Sequence, residues 1–489
     1  MTSMLAILIS PFVVVWLFSS QRPSVAVTAS ILGAYLLLPR NYAIDLPAVP
    51  SLDKNSIPAL TAAVAALIFV QGPRLRALAP GLVLPGLVPR SRVARILFLL
   101  MLAGAVATVV TNGDALRYGG LTLPPLRLYD AASNLGITLF TLMPFLLARK
   151  YLAHPDAHRT LLVGLVVAAL GYSILALYEI RFSPQLSRNI YGYFPHDWRQ
   201  HLRAGGFRPV VFLSHGLWLA IFFCSAFLAA MALWRSAAGP MRTRWLVASA
   251  WLFGVLFLSK GVGALLIGMM LGAMIVFLPI RLQVIGAAVI AGTILTYPML
   301  RGAGMVPTDA LLDLAGQYST ERQASLKTRF DSEDILLEKA NQRPAFGWGG
   351  WGRNRVYDDE GRDLSITDGQ WILTIGNSGW IGYVSEFGLL LLPMIYLGLR
   401  WKRLALTPAT AGVCVALTAN MIDLIPNATL TPVTWLLAGA LAGRLELGRI
   451  ADTAGAPLAT DPAVRRNAYT RQPRFHPPRR HPPRGVAAR

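Results

Sequence analysis

Apolar residues recur along this chain in long unbroken blocks, not in the alternating or three-in-seven rhythm of elements that bury a single face. The blocks cover approximately 4–19, 23–39, 57–71, 93–111, 132–148, 160–178, 209–234, 244–259, 261–279, 282–299, 379–399, 406–425 and 429–445. A helix needs about 20 apolar residues to cross a hydrocarbon core of ~30 Å, and the first few blocks are short for that. Backbone amides left unpaired in lipid are costly, so blocks of this kind are predicted to be helical. The pattern predicts an all-α, polytopic integral membrane protein with about 12–13 transmembrane helices. The stretch 244–279 reads as one bent hairpin or as two helices.

A long polar interruption, from Arg301 to Ser378, breaks the series. Flanked by apolar blocks, it is predicted to leave the membrane, fold against it and re-enter as one large extracytoplasmic loop. Within it Thr320-x-x-Gln323 has the form of a capping box, and Gln323–Asn341 reads as a helix with Leu326, Phe330 and Leu337 on one face, stopped by Arg343-Pro344. The expected organisation is ten helices with an outer loop at 179–208 in 1–299, the large loop at 300–378, and C-terminal helices at 379–445. A basic tail of Arg and Pro at 446–489 has too few apolar residues to fold and is predicted to be disordered; it either orients and solubilises the chain or meets anionic lipid or a partner.

Composition narrows the class. Of 489 residues, 54% are hydrophobic and 14% charged, against roughly 25% charged in ordinary soluble domains. The formal charge of +21 raises nucleic acid as a partner. The cations lie instead in short connections: Arg74, Arg76, Arg90, Arg92 and Arg95; Arg149, Lys150 and Arg159; Arg235, Arg242 and Arg244; Arg400, Lys402 and Arg403. These fall on one side if the spans alternate, which makes that side cytoplasmic and excludes a nucleic-acid face. Loops 40–56, 112–131, 179–208 and 300–378 then face outward with Lys260, and the N-terminus is expected outside. The first block lacks a basic leader and is read as a retained span. Cys224 and Cys414, both inside apolar blocks, imply no disulfide framework.

Candidate chemistry gathers on the outward side. Arg203 and Arg208 bracket Gly205-Gly206 before Pro209, which is expected to open a helix with His215 about two turns in. Two planar guanidiniums beside a glycine turn and a helix start suit a diphosphate; alternatively they anchor at the headgroups, and His215 is a structural histidine. Glu179 is expected to pair with one of these arginines. Lys260, between two apolar blocks, is either functional or snorkelling. Trp348 and Trp351 in Phe346–Gly352 are a sugar platform or interfacial anchors. Asp358, Asp359 and Glu360 read as a solvated acidic turn in preference to a metal site. Asp368, Asp423 and Glu386 are carboxylates at or within apolar blocks, costly there unless paired or used.

Together RAGGFRP at Arg203–Pro209, SKG at Ser259–Gly261, RPAFGWGGWG at Arg343–Gly352 and GNSGWIGYVSEFGLL at Gly376–Leu390 resemble, in that order, the O-antigen ligase and O-antigen polymerase superfamily. The resemblance covers roughly 160–445 and implies a metal-independent, cofactor-free inverting glycosyltransferase of the bacterial inner membrane, its active site facing the periplasm. Implied partners are a polyprenyl-diphosphate-linked glycan donor, a glycan acceptor, membrane lipids, and chain-length-regulating or export proteins. Members often carry His-Asn where Gly376 precedes Asn377 here, and Ser-Arg where Ser259-Lys260 stands. The departures favour an exopolysaccharide-polymerase-like branch over transfer to lipid A core. In that branch Arg203, Arg208, Lys260 and Arg343 stabilise the diphosphate, Trp348, Trp351 and Asn377 meet sugar, and Asp368 or Asp423 takes the proton, with Glu386 and His215 as further candidates. The rivals are a lipid-linked-glycan flippase or transporter and a metal-dependent transferase using polyprenyl monophosphate sugars.

Overall fold

A computed structural model describes residues 1–45, 50–70, 83–195, 198–203 and 205–448; the side chains of Arg199, Arg203, Tyr318 and Arg322, the cations Arg74 and Arg76, and the tail after 448 lie outside the described residues. All thirteen apolar blocks fall on helices. In the N-terminal half these are α1 (Thr2–Ser20), α2 (Pro23–Leu37), α3 (Ser56–Phe69), α4 (Arg92–Val110), α5 (Leu128–Tyr151) and α6 (Pro155–Phe182), then a short α7 (Leu186–Tyr191). There follow α8 (Gly216–Ser236), α9 (Gly239–Leu258), α10 (Val262–Phe277) and α11 (Ile280–Gly302). The polar segment contributes α12 (Thr308–Tyr318) and α13 (Thr320–Asn341), and the chain returns through α14 (Gln370–Leu399), a turn of helix α15 (Trp401–Leu404), α16 (Pro408–Asp423) and α17 (Pro432–Leu447). Two small antiparallel hairpins complete it: β1 (Leu116–Tyr118) with β2 (Leu121–Leu123), and β3 (Leu202–Arg203) with β4 (Gly206–Phe207), the latter pairing Leu202 to Phe207 and Arg203 to Gly206.

Among the described residues, eight helices (α1, α4, α5, α6, α8, α9, α11 and α14) are long and apolar enough to cross a membrane, and the chain is a helical, polytopic membrane protein. The other five apolar helices run 14 to 16 residues, at most ~24 Å of rise. Two of these, α16 and α17, lie inside the protein, where the thickness of lipid does not set their length. Residues 219–230 of α8 are all buried, and α8 packs against α6, α9, α10 and α16. With no water between them, helices in such an interior are cross-linked by small polar groups. The Asn420 side-chain amide donates to Ser225 Oγ (2.8 Å) and accepts from Thr434 Oγ1 (3.0 Å), tying α16 to α8 and α17.

Charge is placed at the two ends of the bundle. At one end the fully buried Arg149 of α5 grips Glu446 of α17 (Nε to Oε2 3.0 Å) and the carbonyls of Gly86 and Leu87 (3.0 and 3.1 Å). At the other, Arg343 and Arg353 of the large loop hold Asn112 and Asp114, just past the end of α4. The loop helix α13 packs on α14, with Leu336, Leu337 and Ala340 all buried, and is tied to the end of α11 by Leu337, which lies against Gly302, and by Arg301, which bonds Asp334 (2.9 Å) and lies under the Phe330 ring. Glu333 is caught in the same contact, and burial pushes its carboxyl up to about 7, with the neighbouring Asp334 adding to the rise against the lowering by Arg301.

Several boundaries differ from those the sequence predicts. Thr320 lies within α13, whose N-cap is Ser319 with no side-chain cap bond, so the capping box does not form. The stretch 244–279 is two helices, turning at Ser259–Gly261. Helix α14 starts nine residues before the apolar block at 379–399, and it is broken: Gly379 has φ 67° and ψ −172°. The segment 344–349 is stitched along the break by main-chain bonds, Trp348 N to Gly376 O (2.8 Å), Gly349 N to Asn377 O (2.9 Å), Trp380 N to Pro344 O (2.8 Å) and Ile381 N to Ala345 O (3.3 Å). These use amides and carbonyls that an interrupted helix would leave unpaired. Only glycine fits: a Cβ at Gly379 would stand 2.4 Å from Ala345 O, and one at Gly347 would stand 2.6 Å from the backbone of 377–379.

Candidate functional site

Pro209 does not open a helix. Residues 209–214 are held as an irregular turn because Glu179, at the end of α6, accepts the amides of Val210 and Val211 on one oxygen (2.8 and 2.7 Å) and that of Leu186 on the other (3.0 Å). The Tyr172 hydroxyl accepts the amide of Phe212 (3.1 Å). The carboxylate expected to pair with an arginine is thus occupied by backbone. Helix α8 begins at Gly216, and His215 is its N-cap, with Nδ1 accepting from Leu217 N (3.1 Å), not a residue two turns in. That bond places the proton of the neutral imidazole on Nε2.

This turn carries Arg208 into the bundle end, only 5% exposed. Its amide donates to His201 O (2.8 Å), and the His201 and His215 rings lie 5.5 Å apart. The Arg208 side chain runs against the start of α8, where a Cβ on Gly216 would stand 2.7 Å from its Cδ. From the α9–α10 turn Lys260 reaches the same hairpin, since a Cβ on Gly206 would lie 2.7 Å from Lys260 Nζ. Lys260 has φ +58°, a left-handed conformation that costs a side-chain-bearing residue roughly 1–2 kcal/mol. At the end of α16 Asp423, 3% exposed, lies within charge–charge range of Arg208 and accepts from Thr429 Oγ1 (2.6 Å) and Asn427 Nδ2 (3.0 Å) of the turn that follows. The chain thus sets Arg208 within charge–charge range of Asp423 and brings Lys260 against Gly206, two residues before Arg208. Arg203 heads the same hairpin in β3; its side chain is outside the described residues.

Asp368 lies beside this cluster on the chain's way into α14, half exposed and paired with Arg329 Nε (3.2 Å). Arg329 also donates to Pro426 O (3.4 Å), and Gln370 N donates to Leu424 O (3.0 Å), so the entry to α14 and the α16–α17 turn are joined. Beneath the 209–214 turn Lys54 is buried, donating to Phe212 O (3.3 Å) with its ammonium 5.8 Å from the centre of the Tyr35 ring. Burial pulls that ammonium down to about 7. Neither Arg329 nor Lys54 stands out in the sequence: the first is one charge among many on a polar helix, and the second precedes α3 in an ordinary loop.

Other candidates are placed elsewhere. Arg343 is not part of the cationic cluster; its guanidinium binds Asp114 through both oxygens (3.1 and 2.7 Å), Asn112 Oδ1 (2.6 Å) and Thr111 O (3.1 Å). The partnership also holds the Asp114 carboxyl below its ordinary range. Trp348 offers no open ring face, because Lys339 and Arg343 stack on it at 4.3 and 4.2 Å and its indole N–H donates to Lys339 O (2.7 Å). Trp351, by contrast, is 79% exposed. Asn377 lies in the break of α14, its carbonyl taken by Gly349 N and its buried Oδ1 without a hydrogen-bond partner among the described residues. Glu386 accepts from Thr374 Oγ1 (2.9 Å) and Gln370 Nε2 (3.3 Å) and borders a cavity of about 180 Å³ between α4, α5 and α14, which shares no residue with the Arg208 cluster. The Asp358–Glu360 stretch is a turn in which Arg362 Nε bonds Asp358 (2.7 Å). The chain matches no protein-family model and no curated protein.

Proposed function

We propose that this protein is an inverting membrane glycosyltransferase that polymerises or transfers oligosaccharide carried on a polyprenyl diphosphate, working at the outward face of a bacterial inner membrane. The observation that carries this reading is that Arg208 lies within charge–charge range of Asp423 while Lys260 reaches Gly206 of the hairpin that leads into Arg208. A diphosphate leaving group is already activated, so the demands on the protein are to orient the reactants and to meet growing negative charge with fixed donors. Arg208 offers a planar fork and Lys260 a point charge for the phosphoryl oxygens. Lys260 adds a specific argument: its left-handed turn position would be cheaper with glycine, and strain of this kind is tolerated where the side chain is needed.

In the proposed step an acceptor sugar hydroxyl attacks the anomeric carbon of the donor. The new carbon–oxygen bond forms as the bond to the diphosphate breaks, with its electron pair leaving on the phosphate oxygen; the configuration inverts. The hydroxyl proton passes to Asp423, the carboxylate beside Arg208, while Asp368 is held by Arg329. A groove of about 560 Å³ between α2 and α6, lined by residues such as Leu32, Leu36, Val163 and Leu175, reaches Tyr172 and hence the turn that carries Arg208. It offers an apolar path for the prenyl tail. The large loop, latched at Asp114 and Asn112, and the exposed Trp351 ring stand on this outward side in the proposed topology, Trp351 being available to a sugar face.

Purified protein in liposomes with a polyprenyl-diphosphate-linked oligosaccharide tests the proposal. Longer or transferred glycan is expected, insensitive to chelator, and lost in Arg208→Ala and Lys260→Ala. Movement of the lipid across the bilayer without a new glycosidic bond would make the protein a carrier, and loss of product on adding chelator would make it a metal-dependent transferase.

A further inference from the structure

At the end of α4 away from the large loop, the structure assigns a second ligand: we infer that an anionic phospholipid occupies a cavity of about 370 Å³ between α4, α14 and α17. Its size falls within the range of small-molecule sites, roughly 300–1,000 Å³. Leu97, Phe145, Leu389 and Leu392 form its inner wall, and Arg90 and Arg400 stand at its mouth. Glu446 also borders the mouth, but its carboxylate is already committed: Arg149 takes one oxygen, and the amides of Arg90 and Ser91 take the other at 2.9 and 3.2 Å. Both arginines are exposed, and neither has an acidic partner among the described residues; the Arg400 guanidinium rests 5.2 Å from the centre of the Tyr396 ring.

The occupant must therefore be anionic at one end and hydrocarbon at the other. A soluble phosphate satisfies the mouth but leaves the inner wall wetted. A neutral lipid fills the wall but leaves two guanidiniums uncompensated at the membrane edge, where each is worth about 1 kcal/mol toward an anionic surface. From Val93 to Leu97 the cavity follows α4 for ~6 Å of helix rise, enough for a phosphate and the first methylenes beneath it. Basic pockets between membrane helices on the side that carries the positive loops are suited to such headgroups. Arg92 and Arg95 on the same turn of α4 reinforce the field.

Full-length protein, delipidated in a neutral detergent, is titrated with phosphatidylglycerol and followed by native mass spectrometry. Wild type is expected to bind phosphatidylglycerol well ahead of phosphatidylcholine, and Arg90→Gln/Arg400→Gln to weaken it at least about tenfold, since charge-assisted contacts are among the strongest. Arg242→Gln, at a different basic loop, is expected to bind as wild type. Should the double variant fail to fold, Leu392→Trp, which narrows the apolar wall with both arginines kept, is expected to block binding by itself. Equal binding of phosphatidylcholine, undiminished binding in the folded double variant or in Leu392→Trp, or displacement by inorganic phosphate at matching concentration would each overturn the assignment.

Discussion

Replacing Lys260 by glycine is expected to separate stability from activity. Its φ of +58° puts a side-chain-bearing residue where the backbone is strained, at roughly 1–2 kcal/mol. Glycine relieves that strain and gives back roughly 0.5–1 kcal/mol through the greater freedom of its unfolded chain. The net expectation is a folded protein as stable as wild type or more so by up to about 1.5 kcal/mol. Activity should move the other way, because the ammonium that reaches Gly206 is gone; losing one fixed donor to a developing anion costs about 100- to 1,000-fold in turnover. Lys260→Asn, which tolerates the left-handed region without charge, should behave likewise, and Lys260→Arg should recover part of the rate. The assay pairs detergent melting curves with glycan extension from lipid-linked donor. Full turnover in the glycine variant, or a melting temperature that falls along with turnover, would show that the residue is there for the turn and not for the chemistry.

Three further outcomes follow from the geometry. Arg208→Ala and Asp423→Asn should each reduce turnover by at least about 100-fold, whereas Arg343→Ala should chiefly loosen the large loop, read as faster hydrogen exchange over residues 343–353, with the donor KM little changed. Docking of α13 should depend on pH through Glu333: its carboxyl is raised in the folded state to about 7 from an ordinary 4.5, so the contact is strongest below about 4.5 and weakens as pH rises toward 7. Limited proteolysis of α13 across that window should show the trend, and Glu333→Gln should abolish it. Gly379→Ala should be severely destabilising, since the added Cβ meets Ala345 O at 2.4 Å at a positive φ; a yield and melting temperature equal to wild type would contradict the close approach.

The helical framework was legible because lipid imposes one local rule, apolar and internally hydrogen-bonded, that does not depend on distant partners. Each apolar block carries a helix among the described residues, although 209–214 stay outside theirs. The candidate site was legible in part: Arg208, Lys260 and Asp423 were picked out as charges at the edges of apolar blocks, and such charges must be satisfied at the bundle ends. What the sequence did not show was which distant residues these side chains would meet. Arg343 and Trp348 looked like a cation and an aromatic awaiting a ligand, but Asp114, Asn112 and Lys339 already occupy them. Glu179 looked like a mate for arginine, yet it caps the amides of residues 31 and 32 positions away. The start of α8 shifted because those captured amides hold 209–214 out of the helix. The first half of α14 escaped notice because its polar residues, Gln370 and Thr374, turn inward to Glu386.

The stitched break in α14 bears on how catalysis could be paced. Because four amide–carbonyl pairings weld segment 344–349 to a helix long and apolar enough to span a membrane, that part of the polar segment is a floor, not a flap. Swinging it aside would strand polar backbone in oil, so under the proposed function a bulky saccharide is expected to arrive and depart laterally, around its rim. Whatever gating the reaction needs falls to pieces not riveted in this way, and a spectroscopic label on α12, whose packing is onto α13, is where motion during turnover should be sought.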